Sequence, residues 1–317
     1  MSSCPACGAE GMRRWRAASA SDPHLAGSSE FWLDRCPVCG SAATIGDAAD
    51  PGAMYEAGTY SPPSAAAAGP LAALRRLADR DRTRFVRRFT SGARVLEVGA
   101  GDGKLVAIMA RKGLDAWGID PSPAACAAAR AAGIEVVEAG VDEAPVEPAS
   151  QDGVVLWHSL EHLDRPSAAM ERIARWMRPG ARLVVAAPNL AGLQARIGGD
   201  RWFHQDVPRH RTHFTPTGLT ALLARTGFGV ERTHHLLVEQ NPLGMWQTLL
   251  NRLTRQRDFA FRLLKRDLAG APPAERRRDV AVTAIVGLPL VPVAILLEAG
   301  AGLARAGGSI VVEARKS

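Results

Sequence analysis

Aromatic residues are scarce in this 317-residue sequence: they make up 5% of it, and only Tyr55 and Tyr60 are tyrosines. The chain has five cysteines, which is too sparse for a disulfide scaffold. The first ten residues, MSSCPACGAE, contain no apolar secretory run, so we expect the chain to begin in a reducing cytoplasm. Hydrophobic residues reach 47% and charged residues 22%, which excludes wholesale disorder and predicts a mainly aliphatic core.

Acidic residues are the minority among the charges. There are 39 basic and 32 acidic residues, for a net charge of +7. This balance favours an anionic partner, such as nucleic acid, phospholipid headgroups or a phosphorylated substrate, without choosing among them.

Four of the cysteines form two CPxCG knuckles, at positions 4–8 and 36–40. Two CxxC pairs with this separation match a tetrahedral zinc site with Cys4, Cys7, Cys36 and Cys39 as ligands. The alternatives are two redox CxxC pairs or free thiols. A four-cysteine zinc site has no open position, so the predicted ribbon, residues 1–47, would serve folding or docking and not catalysis. The fifth cysteine, Cys126, lies in an alanine-rich run and is expected in the core.

Residues 48–92 are predicted to be a linker followed by a helix. The segment 48–70 is rich in Gly, Pro and Ala and carries both tyrosines, so it is interpreted as a linker or as a loop that covers the next domain. The segment 71–89 has the apolar spacing of a basic amphipathic helix.

From residue 93 the pattern alternates between strand and helix. Predicted strands cover 94–99, 115–120, 134–140, 154–160, 181–189 and 230–238, and predicted helices cover 104–112, 123–132, 166–177 and 216–225. Alternation with short links predicts an α/β fold, a doubly wound Rossmann-like parallel sheet with right-handed crossovers.

The first predicted strand ends in a glycine-rich turn that follows an acid. Glu97 precedes Gly99, Gly101 and Gly103, a GxGxG spacing that differs from the dinucleotide fingerprint GxGxxG because position 104 is lysine. Such a turn lets backbone amides approach a ligand. The second strand ends in Asp120, where a carboxylate can accept hydrogen bonds from ribose hydroxyls.

These features resemble class I S-adenosylmethionine-dependent methyltransferases, and in particular a bacterial group with the motif LWHxLEH. The motif stands here at 156–162, the pattern RPGxxLxxxxPN at 178–189, and DxPxHxxHFT at 206–215. The resemblance covers about 94–228 and implies S-adenosylmethionine as cofactor. It implies that Glu97 and the three glycines hold the amino-acid end, that Asp120 holds the ribose with Pro121 beside the adenine, and that Val141 and Asp142 lie at the adenine edge.

Methyl transfer needs alignment and, for some acceptors, a base. The resemblance places the candidate catalytic residues after the fourth and fifth strands: His158, Glu161, His162 and His210. His158 and His210 are the preferred bases, because histidine titrates near neutrality. Related quinone O-methyltransferases carry ExxEH, a divalent-cation site, where this chain has His158-x-x-Glu161-His162.

A helical insertion, residues 241–305, is predicted before the final strand, 306–317. Residues 245–279 hold nine basic and four acidic residues interleaved with apolar ones, which is typical of an interfacial helix on anionic lipid. Residues 280–297 contain no charge, and Gly287, Pro289 and Pro292 are expected to break this run into a re-entrant hairpin or helices within one leaflet. A soluble lid or dimer interface is the alternative. The sequence thus predicts an anionic membrane surface as partner of 245–303.

The leading hypothesis is a methyltransferase at the cytoplasmic membrane face, acting on a small-molecule, saccharide or lipid-linked acceptor. The alternative is a zinc-ribbon rRNA base methyltransferase. It is disfavoured because the fourth strand lacks an Asn/Asp-Pro-Pro-aromatic motif, so nucleic acid is not the expected partner. A third hypothesis is a non-catalytic binder that keeps the cofactor pocket.

Overall fold

The computed structural model describes residues 3–21, 30–46, 71–238, 240–265 and 273–317. The predicted linker 48–70, with Tyr55 and Tyr60, lies outside the described residues. The strands are β1 Arg13–Ala18, β2 Phe31–Arg35, β3 Ala42–Ile45, β4 Arg94–Val98, β5 Asp115–Asp120, β6 Val136–Glu138, β7 Gln151–Trp157, β8 Met177–Pro188, β9 Thr212–His213, β10 Phe228–His234 and β11 Ser309–Lys316. The α-helices are α1 Leu71–Val86, α2 Lys104–Arg111, α3 Pro123–Ala131, α4 Pro166–Trp176, α5 Leu193–Gly198, α6 Pro216–Arg225, α7 Gln240–Asn251, α8 Phe259–Lys265 and α9 Pro273–Leu303.

A seven-stranded sheet in the order β10-β11-β8-β7-β4-β5-β6 forms the centre of the molecule. The strands β6, β5, β4, β7 and β8 run parallel, and helices link β4 to β5, β5 to β6 and β7 to β8, as the alternating sequence pattern predicts. Leu96 and Val154 on one face and Val95 and Val155 on the other are buried, so the strands have apolar residues on both faces. The predicted Rossmann-like α/β sheet is therefore confirmed.

The final strand, β11, is antiparallel and lies between β8 and β10. Its buried residues Ile310, Val311 and Val312 complete the core on both sides of the sheet. The helices of the predicted insertion, α7 to α9, therefore leave the sheet at β10 and return to it at β11.

The cysteine-bearing segment pairs with a strand from the middle of the chain. Strands β1, β2 and β3 form an antiparallel sheet, and β9, from the middle of the chain, is its fourth strand. The hydroxyl groups of Ser41 and Thr215 share a hydrogen bond. The backbone N–H of Thr215, at the start of α6, also donates to Ser41 Oγ. The pairing of β3 with β9 thus crosses the expected boundary at residue 47. Local sequence patterns do not predict this pairing, because the two strands are far apart in the chain.

The insertion differs from the predicted interfacial helix over 245–279. In α7, Met245, Thr248 and Leu250 are fully buried, and in α8, Phe259 and Arg262 are buried too. These helices pack inside the protein. Their buried polar groups have partners there: Asn251 and Asp258 hydrogen-bond to each other.

The predicted break in the apolar run is also absent from the described residues: α9 continues for 31 residues through Pro289 and Pro292. A re-entrant hairpin is therefore wrong, whereas helices within one leaflet stay a prediction. A proline removes one backbone donor per position, and Trp246 Nε1 donates to the carbonyl of Gly287 at 2.7 Å beside the interruption.

Candidate functional site

A cavity of about 620 Å³ opens at the carboxyl ends of β4, β5 and β7. Open α/β sheets bind ligands at this edge. The predicted site residues that line the cavity are Gly99, Gly101, Asp120, Pro121, Val141, Asp142, His158 and His162. The structure thus brings most of the expected cofactor residues to one cavity with two of the expected catalytic histidines.

The three glycines of the turn have different environments. Gly99 and Gly101 line the cavity with positive φ values of 76° and 54°. A Cβ on Gly101 would meet no atom within 4 Å, whereas a Cβ on Gly103 would stand 2.6 Å from Ile134 Cγ2. Gly103 therefore lies outside the lining, and its lack of a side chain allows α2 to pack against the segment before β6; its contact with the cofactor stays a prediction.

The carboxylate of Asp120 is fixed by the two turns that follow β4 and β5. It accepts hydrogen bonds from the backbone N–H of Gly101 at 2.8 Å and of Ser122 at 2.9 Å. Burial raises its pKa, against the lowering effect of these two N–H groups. A carboxylate held at the cavity wall can accept hydrogen bonds from a diol, as binding of a nucleoside ribose requires.

Glu97, near the end of β4, is not among the residues that line the cavity, and its role at the amino-acid end of the cofactor stays a prediction. It is fully buried at the end of β4, and desolvation raises its pKa to about 8, opposed first by the charge of Arg82. Its Oε2 atom has no hydrogen-bond partner among the described residues. A buried carboxylate oxygen without a donor fits a site that awaits a cationic or N–H-bearing group.

His158 and Glu161 form a dyad directly after β7. Nδ1 of His158 lies 3.3 Å from Oε1 of Glu161, whose side chain is 1% exposed. Burial opposes ionisation of Glu161, but the hydrogen bond and charge of His158, with the nearby histidines, lower its pKa to about 2. An ionised Glu161 that accepts the Nδ1–H leaves the lone pair of His158 on Nε2, the nitrogen that a general base uses.

Glu161 also belongs to a cluster with His162 and His210. One ligand atom from each of the three residues lies within 4.8 Å of the others. Nδ1 of His162 contacts the carbonyl of Arg209 at 3.1 Å, and Nδ1 of His210 contacts the carbonyl of His204 at 2.9 Å. Such contacts to carbonyls are typical of metal-ligating histidines. The three residues could hold a divalent cation, with His210 in place of the expected His158.

The second wall of the cavity includes residues that sequence reasoning missed. Arg209 and Arg211 line the cavity, and Ser159 joins the ends of β7 and β4 by donating to the carbonyl of Val98 at 2.7 Å. Thr44, on β3, donates to the carbonyl of His210 at 2.6 Å and contacts Nε2 of His213 at 3.0 Å. No local signal in the sequence indicates that Thr44 contacts this segment.

The four cysteines of the knuckles come together as the spacing predicts. Sγ of Cys4 lies 3.7 Å from Sγ of Cys39, and Sγ of Cys7 lies 3.6 Å from Sγ of Cys36. All four sulfur atoms lie within 4.8 Å of one another. A zinc ion at about 2.3 Å from each sulfur requires tetrahedral edges of about 3.8 Å, so the thiols fit this ion.

A second cleft, of about 410 Å³, lies at the opposite edge of the sheet, near Arg88, Arg182 and Arg315. Arg182 and Arg315 are already paired with Glu231, and Arg88 lies 3.7 Å from Glu313. These paired cations do not form a comparable ligand site.

Known proteins share this domain. A family profile described as "Methyltransferase domain" matches residues 71–233, slightly more than half of the chain. The ubiquinone biosynthesis O-methyltransferase of Xylella fastidiosa (strain 9a5c) is 31% identical over 154 residues, or 44% of this chain and 63% of that protein. The protein of the same name from Xanthomonas euvesicatoria pv. vesicatoria (strain 85-10) is 31% identical over 162 residues, or 47% of this chain and 68% of that protein.

The chain therefore spans less than two thirds of the length of the Xylella relative. Among solved structures, a methyltransferase from Thermotoga maritima, titled a possible histamine N-methyltransferase, has a TM-score of 0.48 and 15% sequence identity. That match covers 78% of this chain and 93% of the other.

Proposed function

This chain belongs to the methyltransferase-domain family, and from that premise we propose that it is an S-adenosylmethionine-dependent methyltransferase. Its acceptor is an amphiphilic or lipid-linked small molecule, methylated on a hydroxyl oxygen at the cytoplasmic face of the membrane. The observation that carries the proposal is the single cavity on which the Gly99–Gly101 turn, Asp120 and the His158 ring converge.

The residues on this cavity fit the cofactor. Asp120 supplies carboxylate oxygens for the ribose, Gly101 leaves open space where a side chain would stand, and Pro121, Val141 and Asp142 supply the wall for the adenine. Oε2 of Glu97 is a buried acceptor without a donor in the part of the chain that the structure describes, and it is suited to the cofactor's ammonium group. When bound, the cofactor supplies an electrophilic methyl group on a sulfonium.

His158 performs the proton transfer. The acceptor hydroxyl gives its proton to Nε2 of His158, and the bound cofactor would supply the methyl group that the acceptor oxygen takes up. Glu161 stabilises the resulting imidazolium through its contact with Nδ1. A positioned base typically contributes about 10²–10⁴ in rate. Glu161, His162 and His210 would hold a divalent cation, which would supply Lewis acidity.

The acceptor class rests on two observations. The relatives at 31% identity are named for O-methylation in ubiquinone biosynthesis. In addition, α9 exposes large apolar side chains, including Ile285, Leu288 and Leu296, which is unusual for a surface in water. An acceptor that partitions into lipid accounts for both.

We also propose that Cys4, Cys7, Cys36 and Cys39 bind a structural zinc ion. The sulfur–sulfur distances support this proposal, and the site has no position for a reactant. Its role is then to hold β3 against β9, next to the cavity.

The proposal is tested by methyl transfer from radiolabelled S-adenosylmethionine into fractionated cell extract, together with calorimetric titration of the cofactor. We expect label in the organic phase and cofactor binding that Asp120→Ala weakens by at least about tenfold, since two ribose hydrogen bonds are lost. Label in RNA would establish the rRNA hypothesis instead. Absence of cofactor binding at millimolar concentration would leave only the non-catalytic binder.

A further inference from the structure

The apolar helix α9 is attached to the protein body along its whole length. Near its start, the carboxylate of Asp279 accepts hydrogen bonds from the backbone N–H of Arg255 at 2.9 Å and of Gln256 at 2.8 Å. In the middle, Trp246 donates to the carbonyl of Gly287. Near its end, Glu298 accepts from the backbone N–H of Gly308 at 3.2 Å. The outer attachments are about 28 Å apart along the helix axis, so α9 cannot cross a bilayer while they persist.

The side of α9 that faces the body is narrow and made of small residues. Its buried positions include Gly287, Ala294, Ala301 and Gly302. Small side chains allow α9 to lie close to α7, which carries Trp246, and to Leu236: a Cβ on Gly302 would stand 2.8 Å from Leu236 Cδ1. This contact stripe leaves most of the helix circumference uncovered.

The opposite side carries the largest exposed apolar residues of α9. Ile285, Leu288, Leu296 and Leu303 are 72%, 80%, 72% and 80% exposed. Their spacing of three, eight and seven residues places them along one line of the helix. We call these four residues the outer face.

Further exposed apolar residues flank the outer face on both sides, at Val291 and Val293. In the most apolar 18-residue window of α9, only 11% of the residues are buried. A partner helix covers one stripe of about 100°, whereas a lipid leaflet surrounds every uncovered side of a helix lying in it.

The charges at the ends of α9 also favour a lipid leaflet over a second copy of the chain. Exposed Arg276 and Arg277 precede the apolar stretch, and exposed Arg305 follows it. An antiparallel second copy would bring Arg305 of one chain toward the arginines at the other chain's helix start, which is repulsive. Anionic headgroups meet positive charge at both ends.

We propose that α9 docks this protein on an anionic lipid leaflet as a monotopic helix, lying in the membrane plane with the outer face in the acyl region. This inference deepens the proposed function by naming its partner surface. The helix rests on α7, where a Cβ on Gly244 would stand 2.5 Å from Nε2 of His204, and the His204 ring stacks on His158 at 6.3 Å. The docked helix is therefore only two packing layers from the His158 ring.

Vesicle flotation of the full chain tests this inference. We expect the protein to float with vesicles that contain about one third phosphatidylglycerol and to float poorly with phosphatidylcholine alone. The double variant Leu288→Asp/Leu296→Asp should bind at least about tenfold more weakly, because charged groups replace two side chains of the outer face. Val38→Ser, which removes an apolar side chain that is 71% exposed in the cysteine segment, is the matched control.

Charge is tested by Arg276→Gln/Arg277→Gln, for which we expect about fivefold weaker binding per arginine and a smaller effect of salt. Wild-type protein that stays with the pellet, or a double aspartate variant that floats normally, would overturn the inference. A wild-type dimer that the aspartate variant converts to monomer would assign the outer face to a second copy. Cofactor titration of the same variants separates the two proposals, since lipid docking leaves cofactor affinity unchanged.

Discussion

His158 has a backbone conformation that non-glycine residues seldom adopt, with φ at +55°. Such conformations cost about 1–3 kcal/mol and are retained where the surroundings require them. Here the residue directly follows β7 and turns its ring to the cavity, where Glu161 holds Nδ1. An unusual backbone and a buried carboxylate partner at one residue indicate a role beyond packing.

We predict that His158→Gln lowers kcat by about 10²–10⁴-fold, because the acceptor proton loses its base. Cofactor affinity should change by less than about twofold, since Asp120 and the glycine turn are intact. His235→Gln, at a half-buried histidine outside the cavity lining, is the control. Steady-state kinetics and calorimetry check both values, and a variant with normal kcat would remove His158 from the mechanism.

Glu97 leads to a prediction about pH. Burial raises its pKa to about 8 from 4.5, so the folded protein keeps a proton that the unfolded chain releases. Its contribution to stability is full below pH 4.5 and is lost as pH rises through 8. Glu97→Gln removes this titration, so the variant should gain in relative stability from pH 5 to 8, by about 3 kcal/mol at pH 7. Urea unfolding at several pH values measures the difference; a difference that is flat with pH would contradict it.

Sequence patterns predicted residues whose position depends on local turns. Gly99, Gly101 and Asp120 lie at strand ends, and strand ends of a parallel sheet meet at one edge, so their place on the cavity was predictable. Thr44 and Arg209 could not be found in this way. Thr44 reaches the carbonyl of His210 through the pairing of β3 with β9, and Arg209 reaches the cavity from the loop before β9. Both placements depend on tertiary packing.

At the scale of elements, the cysteine segment and β9 form one unit. Thr215 Oγ1 donates to the carbonyl of Cys39 at 2.7 Å and also accepts from the backbone N–H of Gly218, so it caps α6 while it holds the knuckle. The four-cysteine cluster is thus connected to the segment that carries Arg209 and His210. The two knuckles were predictable from spacing, but this attachment was not.

We predict that Cys36→Ser reduces zinc content to well below one ion per chain, because one of four ligands is lost. Amide hydrogen exchange should then increase over 206–215, since β9 loses its ordered neighbour. Cys126→Ser, at a buried cysteine outside the cluster, is the matched control. Metal analysis and exchange mass spectrometry provide the measurements; unchanged exchange over 206–215 would show that the metal does not support this segment.

The apolar run 280–297 shows where element prediction from sequence fails. Two prolines predicted a break, yet α9 is continuous because attachments at Asp279, Gly287 and Glu298 hold it straight against the body. Local propensity disfavours proline within a helix by about 3 kcal/mol, and tertiary contacts offset that cost.

For the whole molecule, acid stability depends on buried histidines. Burial lowers the pKa of His162 to about 4 and of His204 and His213 to about 3, and the charge of a neighbouring histidine adds to the shift. In the unfolded chain these histidines bind protons near pH 6.5, whereas in the folded protein they stay neutral at that pH. Stability from these groups is therefore full above pH 6.5 and falls as pH decreases toward 4.

From these three histidines we predict a loss of several kcal/mol in the free energy of unfolding between pH 7 and 5, with uptake of up to about three protons on unfolding. Glu97 opposes this loss by about 3 kcal/mol over the same range, because it releases a proton on unfolding. Denaturant unfolding across this range measures it. His213→Asn should reduce the proton uptake on unfolding by about one, and an unfolding free energy that stays constant down to pH 5 would contradict the burial argument.

The pairing of β3 with β9 has a consequence for biosynthesis. Ser41 and Thr215, which bond across this junction, are 174 residues apart. A ribosome that adds about 5–20 residues per second needs about 10–30 s between them. During that interval the N-terminal strands lack β9, so the edge of β3 stays unpaired. Any metal would have to bind the thiols faster than the thiols oxidise.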